Sequence, residues 1–406
     1  MPTRPPPSER RLLGLALALS LATAVALGVT RFAYGLLLPP MRADLHWSYT
    51  LAGAMNTANA LGYLAGALLA PHLLRQASPP RVLLAGAVLA SVFMGVTGFF
   101  SDAAALLAQR LLAGVASALL FVAGSLLAAR LGSLWPGRAG LLLGIYYGGT
   151  GLGIVLSALL VPALLEAAGD RVHGWAWAWW ALGLACLAAT AVLAWPARAL
   201  GRGLLPAGAA PPAERLAWQP FAPALAAYFM FGVGYIGYMT FVIALLREQG
   251  EGAGRITLFY ALLGVAVMAS ARIWAGLLDR YRGGQPLAIL SLLLAIATVL
   301  PALTTAWPLL LASGLLFGGV FLSLVASTTA LVRHNLPASH WAAGIAAFTT
   351  VFALGQIVGP TVVGWIADGP GGLARGLLFS AAALGIGALL ASRQRALAPA
   401  AAAQPA

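Results

Sequence analysis

The 406-residue sequence is poor in charge, with only 8% Asp, Glu, Lys and Arg against 61% hydrophobic residues. An ordinary soluble domain carries about 25% charged residues, so a soluble globular fold is excluded. The net charge is +13, with 23 basic residues, all of them arginine, and 10 acidic ones. These arginines stand in ones, twos and threes between apolar runs and form no basic patch. No nucleic-acid partner is therefore expected.

Histidine, aspartate and glutamate are missing from the middle of every apolar run. The five histidines and ten acidic residues fall in loops, tails or helix ends, and the lone Cys186 can form no intramolecular disulfide. An intramembrane protease or acyltransferase needs a base and a nucleophile at membrane depth, so that class is a remote alternative. The glycine-rich stretch 148–153 is apolar and follows no strand, which argues against a nucleotide loop. We expect no enzyme activity, no cofactor and no metal.

Long apolar runs dominate what is present. A helix crosses a bilayer with about 20 apolar residues, and strands of a barrel would alternate instead. Proline, glycine and charge divide the sequence into twelve such runs, which predicts an all-α polytopic membrane protein. The predicted spans are 12–38, 49–70, 82–100, 103–129, 139–162, 174–195, 221–246, 255–278, 286–303, 307–332, 341–367 and 373–391.

Arginine placement predicts the topology. Fifteen arginines fall on one side of the predicted spans and five on the other, which places both termini in the cytoplasm of a bacterial cell and the protein in its inner membrane. The Pro-, Ala- and Gly-rich stretch between the sixth and seventh spans is interpreted as a linker. The predicted domains are an N-terminal six-helix bundle at 1–195, a cytoplasmic linker at 196–219 and a C-terminal six-helix bundle at 220–406.

The two halves resemble each other. Gly144 and Gly148 match Gly355 and Gly359 at an offset of 211, and Gly149 in the same register matches Pro360. Glycines four residues apart permit close helix crossing, so we expect these positions to pack tightly. Duplicated halves are typical of transporters built from parallel repeats.

A charged motif closes the eighth span, in the segment 272–284. Gly276 is expected to allow close helix approach, Asp279 to accept hydrogen bonds at a helix end, and Arg280 to anchor at the headgroups. Arg272 lies on the same face and is assigned to the same gating cluster. The alternative is a set of ordinary interfacial charges. The segment resembles the Gly-x-x-x-Asp-Arg-x-Gly-Arg loop signature of the major facilitator superfamily.

Two further motifs carry that resemblance. Arg110-x-x-x-Gly114 looks like the fourth-helix motif of the superfamily, and Arg31-Phe-Ala-Tyr34, with Asn56-x-x-Asn59-x-x-Gly62-Tyr63, is similar to its YbfB/YjiJ-like branch. The resemblance covers Leu12 to Ala391. It implies twelve helices in two pseudo-symmetric bundles and a monomeric secondary active or facilitative transporter. Such a protein works by alternating access on a small molecule in a lipid bilayer. A co-transported or exchanged ion is a further partner that the resemblance allows.

Arg31 and Arg110 fall inside spans at a similar predicted depth, with no acidic residue near it. The resemblance places the first, fourth, seventh and tenth helices around a central cavity. Together these predict a clamp for an organic anion, a carboxylate, whose apolar part meets Tyr235 and Tyr238; Tyr34 completes the predicted substrate site.

Two alternatives to the clamp remain open. Arg31 could extend to the outer surface while Arg110 braces helices through Asp102 or carbonyl groups. The protein could also be a proton-driven efflux pump for neutral or lipophilic compounds of the drug or sugar type. Trp175 and Trp179, with two neighbouring tryptophans, are interpreted as an interfacial aromatic belt at the outer end of the sixth span.

Overall fold

The computed structural model of the protein describes residues 8–201, 217–337 and 340–397, and all regular structure there is helical. The α-helices are α1 (Glu9–Thr23), α2 (Tyr34–Leu45), α3 (Tyr49–Gln76), α4 (Pro79–Thr97), α5 (Ala103–Ser133), α6 (Ala139–Ala168), α7 (Ala176–Gly201), α8 (Ala222–Glu248), α9 (Ala253–Arg280), α10 (Gln285–Leu303), α11 (Trp307–Asn335), α12 (Trp341–Ala367) and α13 (Gly372–Ser392). A π-helical segment, Ala24–Val29, follows α1.

Twelve of these helical stretches are long enough to cross a membrane, because α1, the π-helical segment and α2 together form one span. Eleven of the twelve are also strongly apolar. The other is α3, whose 28 residues extend about 42 Å. Its hydropathy is lowered by Asn56, Thr57 and Asn59. The predicted all-α membrane architecture is confirmed.

Local sequence signals set several helix starts. Proline occupies the first turn of α4, α8, α10 and α11, where its missing N–H costs no hydrogen bond. At the start of α5, the Asp102 carboxylate accepts a hydrogen bond from the Ala105 N–H at 2.9 Å. Asp102 therefore serves as a helix cap, and the predicted brace between Asp102 and Arg110 is not observed.

The chain divides into two compact units. The first contains α1, α2, α4 to α7, most of α3, and the start of α9 within Gly250–Met268. In it, α4 packs against α5 and α7, and α1 packs against α6. The second contains α8, α10 to α13, the rest of α9 and the short segment Ser48–Gly53, and in it α8 packs against α12 and α13. Helix α7 continues through Pro196 to Gly201; residues 202–216 of the predicted linker lie outside the described residues.

Glycine contacts in α6 differ from the prediction. No described atom lies within 4 Å of a Cβ placed on Gly144, and the nearest to Gly148 is 4.0 Å away. A Cβ on Gly149 would instead lie 1.9 Å from the Ser20 carbonyl oxygen, and one on Gly153 would lie 2.3 Å from that of Ala24. The close crossing with the first span therefore lies beyond Gly148, because those later glycines face α1 and the π-helical segment.

In α12 the glycines predicted to pack tightly do so. A Cβ on Gly355 would lie 2.4 Å from the Phe229 carbonyl oxygen, and one on Gly359 would lie 2.5 Å from that of Val233. The Pro360 carbonyl oxygen is equally close to a Cβ built on Gly53, at 2.2 Å. These contacts hold α12 against α8 and against the first residues of α3.

Candidate functional site

The first span is interrupted between α1 and α2. Within and after the π-helical segment, the Thr30 N–H donates to Val25 and the Phe32 N–H to Leu27, five residues back in each case. Regular α-helix resumes at Tyr34. Single-turn π segments are frequent at functional sites, and interrupted helices form the substrate sites of many transporters.

Carbonyl groups around this break accept hydrogen bonds from side chains, although the Phe32 carbonyl also accepts the Gly35 N–H at 3.2 Å. The Thr30 carbonyl accepts a hydrogen bond from Arg110 Nη1 at 2.8 Å, and the Phe32 carbonyl accepts one from the Tyr260 hydroxyl at 2.7 Å. The Ala26 carbonyl accepts from the hydroxyls of Ser117 and Thr30. A carbonyl left unpaired at membrane depth costs several kcal/mol, so these donors stabilise the break.

Arg110 acts as a buried brace, because its side chain joins the break in the first span to helix α3. Its side chain is 2% exposed, Nη1 binds Thr30, and Nη2 donates to Asn56 Oδ1 at 2.9 Å. The guanidinium also lies 4.9 Å from the ring centre of Tyr34 and 5.9 Å from that of Trp179. Both terminal nitrogens are thus bonded to protein, and aromatic rings flank the group.

Arg31 lies beside that brace, because the Thr30 carbonyl bound by Arg110 belongs to the Thr30–Arg31 peptide. Arg31 is 5% exposed, so the side chain does not extend to the surface. Its guanidinium lies 5.1 Å from the ring centre of Tyr63, and Nη2 is buried without a hydrogen-bond partner among the described residues. The two arginines are therefore neighbours with different surroundings.

Asparagines of α3 are part of the site, although sequence reasoning used them only for the family resemblance. Asn56 accepts from Arg110, and Asn59 Nδ2 donates to the Arg110 carbonyl at 3.1 Å. Together with Tyr63 they occupy positions i, i+3 and i+7, which lie on one helix face. Two buried amides with that spacing in an apolar span were the available signal.

Trp179 was also missed as a site residue, since it was assigned to an interfacial belt. Trp179 is fully buried and Trp175 is 3% exposed, so neither belongs to a lipid-facing belt. The Trp179 indole N–H donates to Met41 Sδ at 3.3 Å, and its ring flanks Arg110.

Carboxylates are far from this site within the described residues. Those residues include nine of the ten acidic side chains, each in a loop, at a cap or in a terminal helical turn. Their two salt bridges are His173 with Asp44 and Arg255 with Glu251. The positive charge of Arg31 consequently has no acidic partner there.

Tyr235 and Tyr238 lie in the second unit with their hydroxyls bonded. Tyr235 donates to Gln356 Oε1 at 2.6 Å, and the Tyr238 hydroxyl lies 2.7 Å from the Ser313 hydroxyl. Their rings belong to a stacked aromatic cluster, which also contains Tyr228, Phe231, Phe317, Phe321 and Phe352.

The residues of the predicted gating cluster at the end of α9 are exposed. Asp279 is exposed and has no hydrogen bond with any described residue, and a Cβ on Gly276 would meet no described atom within 4 Å. Arg272 is exposed as well, and Arg280 lies 5.6 Å from the Tyr281 ring centre. The close approach expected at Gly276 is not observed.

Eleven strongly apolar spans among the described residues, the less apolar α3 and an interrupted first span are features of a membrane transporter. A family model described as "Uncharacterised MFS-type transporter YbfB" matches residues 23–392. The chain belongs to this family. The recognition made from its motifs is thereby confirmed.

Solved structures share the fold at low sequence identity. A bacterial homologue of the human lysosomal transporter Spinster, inward-facing and unoccupied, has a TM-score of 0.69 and 16% identity, covering 95% of this chain and 97% of its own. The nucleoside transporter NupG has a TM-score of 0.66, 14% identity, and coverages of 94% and 98%. The human organic anion transporter MFSD10 has a TM-score of 0.64, 15% identity, and coverages of 95% and 100%. None of the curated protein sequences compared with the chain matches it.

Proposed function

We propose that this transporter moves a small organic anion across the membrane by alternating access, and that Arg31 binds the carboxylate of that anion. The observation that carries the proposal is the buried Arg31 guanidinium, whose Nη2 has no partner among the described residues. It lies at a break in the first span, the kind of feature that forms substrate sites in other transporters.

Charge supports an anion as the substrate. Placing an arginine in the hydrocarbon region costs about 3 kcal/mol on insertion scales, so such a residue usually has a partner. The described acidic residues all lie toward the helix ends or in loops and leave Arg31 unpaired. A carboxylate from the substrate would form a charge-assisted hydrogen bond with this guanidinium. MFSD10, an organic anion transporter, has the same fold, although its 15% identity supports the fold alone.

A thermal-stability screen of the purified protein tests this proposal. The compounds are organic anions, sugars, amino acids and cationic drugs, and a ligand that binds the folded state raises the melting temperature with concentration. We expect organic anions to stabilise the parent and Arg31→Gln to lose the effect. Arg198→Gln, an exposed position in the last turn of α7, is the matched control and should behave as the parent. Stabilisation by neutral compounds alone, or an unchanged response of Arg31→Gln, would refute the proposal.

The same proposal includes a bacterial inner-membrane location with both termini cytoplasmic, supported by the arginine asymmetry of fifteen against five. The only cysteine, Cys186, is buried and can be replaced by serine. A membrane-impermeant maleimide should then label Asp170→Cys from the periplasm and Arg282→Cys from the cytoplasm. The reverse pattern would invert the topology.

The aromatic cluster of the second unit favours a second candidate, efflux of lipophilic compounds. Stacked rings such as Phe231 and Phe352, whose centres are 5.2 Å apart, can bind apolar molecules. Proton-driven efflux usually depends on a carboxylate in the membrane, and the described spans have none in their central portions. If neutral lipophilic compounds stabilise the parent and Arg31→Gln equally, this second function becomes the better account.

A further inference from the structure

We infer that the site takes an anion of a single charge, a monocarboxylate, because Arg31 alone binds it while Arg110 positions the backbone that carries Arg31. This inference rests on the function proposed above and narrows its substrate class. It also replaces the two-arginine clamp expected from the sequence with two different roles, in which Arg31 binds the anion and Arg110 holds the backbone.

The hydrogen bonds of Arg110 are largely used within the protein. Nη1 and Nη2 donate to the Thr30 carbonyl and to Asn56 Oδ1, at 2.8 and 2.9 Å. Only Nε is buried without a partner among the described residues. An arginine carries five N–H groups, so three remain on Arg110, but the bonds from both terminal nitrogens fix the orientation of its guanidinium toward Thr30 and Asn56. The rings of Tyr34 and Trp179 further surround its guanidinium.

Arg31 shows the opposite pattern. No hydrogen bond joins its side chain to any residue in the part of the chain that the structure describes, and its guanidinium lies against the Tyr63 ring. None of the N–H groups of Arg31 is therefore engaged by a described residue, whereas the guanidinium of Arg110 is held by two protein acceptors. Its backbone position depends on Arg110, because the bond from Arg110 to Thr30 fixes the peptide that precedes Arg31.

The guanidinium of Arg31 can neutralise one carboxylate, and this limits the charge of the ligand. A buried carboxylate must be hydrogen-bonded and neutralised, and a second one on the same molecule would find no second unbonded guanidinium among the described residues at the break. The neighbouring Arg110 is held by Thr30 and Asn56, and turning it toward a second carboxylate would weaken those bonds. A dianion should consequently bind more weakly than a monoanion of the same size and shape.

Matched pairs of ligands test this inference on the parent protein, without any variant. Hexanoate and adipate differ by one carboxylate at equal chain length, as do benzoate and isophthalate on one ring. Hexanamide and benzamide are the uncharged controls. In binding titrations of the full chain, we expect the better monoanion to bind at least about tenfold more tightly than its dianion partner and its amide.

The outcomes separate the two proposals. Equal or tighter binding of the dianions overturns the single-charge inference and leaves anion transport intact. If amides bind as tightly as the anions, the anion proposal itself fails. Should none of the six bind, the monoanion hit from the stability screen and a dicarboxylate of equal length replace them; a screen without any organic anion hit refutes both proposals.

Arg31→Gln and Arg110→Gln each remove one positive charge, and comparing them tests whether the two arginines have different roles. Arg31→Gln should lose monocarboxylate binding by more than about tenfold, whereas Arg110→Gln, which retains an amide donor for Thr30, should lose less than about fivefold. Equal losses of binding in the two variants would instead support the two-arginine clamp predicted from the sequence. If Arg110→Gln does not fold, Asn56→Ala provides the second measurement, because it frees Arg110 Nη2 and should narrow the gap between adipate and hexanoate. An unchanged or wider gap in that variant contradicts the inference.

Discussion

The first span and α8 are equivalent helices of the two halves, and only the first is broken. At an offset of 210, which relates Gly66 to Gly276, Thr30 corresponds to Thr240 and Arg31 to Phe241; at the offset of 211 given above, Arg31 corresponds to Val242. The Thr240 hydroxyl donates to Ile236 four residues back, and α8 runs unbroken from Ala222 to Glu248. A threonine bonding to its own helix therefore does not break it.

The surroundings of the two helices explain the difference. The first span has donors from other helices, Ser117, Arg110 and Tyr260, for carbonyl groups around the break. Phe241 and Val242 of α8 are fully buried apolar residues, and α8 keeps its helical bonds. In lipid, a break persists only where other groups replace the lost hydrogen bonds, so charge and backbone irregularity occur together in one half.

Introducing a charge into α8 of the second half should cause the largest loss of stability. Phe241→Arg places a guanidinium in a fully buried position whose ring lies 6.0 Å from that of Tyr49. Without donors, acceptors or an anion, we expect a loss of at least about 3 kcal/mol and little folded protein. The measurement is the yield of monodisperse protein after size-exclusion chromatography, with Phe241→Leu as the control. A well-folded Phe241→Arg protein would show that α8 tolerates charge as the first span does.

A methyl group at the crossing of α6 with the first span comes next. Gly149→Ala would bring Cβ to 1.9 Å from the Ser20 carbonyl oxygen, and backbone must move to relieve this contact. Overpacking of this kind costs about 1–3 kcal/mol, so the melting temperature should fall by several degrees. Gly144→Ala, with open space around it, should leave the melting temperature unchanged or slightly raised. Equal melting temperatures for the two variants would contradict this packing.

Removing Asn56, the acceptor of a hydrogen bond from Arg110, should lower the stability of the protein by an intermediate amount. Asn56→Ala takes away the acceptor of Arg110 Nη2 and leaves a buried charged donor unsatisfied, at a cost of about 1–3 kcal/mol. Asn56→Asp keeps an acceptor and should recover most of the lost stability. Thermal unfolding of both variants, monitored by intrinsic tryptophan fluorescence, checks this expectation. An Ala variant as stable as the parent would mean that Arg110 does not depend on α3.

The smallest effect concerns two carboxylates at helix ends. Asp368 accepts hydrogen bonds from the N–H groups of Tyr49 and Thr50, at 2.7 and 2.9 Å, and so caps the start of α3. Asp368→Asn should lower stability by about 0.5–1 kcal/mol, since a helix N-terminus favours negative charge. Asp279→Asn, where no described residue contacts the carboxylate, should not change the melting temperature.

Asp279 is nevertheless expected to affect transport through the gating role proposed for its motif. Its Asn variant should transport more slowly in proteoliposomes while anion affinity stays within about a few-fold of the parent, because a gate residue does not touch the substrate. Loss of binding in a folded Asp279→Asn protein would count against that role.

Helix number and family could be predicted from the sequence, since both depend on local properties. Run length and hydropathy report whether a helix can cross a bilayer, whatever its neighbours are. The charged motif ending in Asp279-Arg280 and the segment Arg31 to Tyr34 then pointed to the family. The tight glycines of α6 could not be chosen in the same way, because Gly148 and Gly149 differ by one residue and only the packed helices show which one faces α1.

The sequence by itself determined that Arg31 and Arg110 would lie inside spans with no acidic residue at their predicted depth. Only the tertiary structure decided that Arg110 is bonded to Thr30 and Asn56 while Arg31 Nη2 has no partner among the described residues. The physical reason is that a hydrogen-bond partner is supplied by whichever helix packs alongside. Here the decisive acceptor is a backbone carbonyl freed by a break that no residue pattern announces.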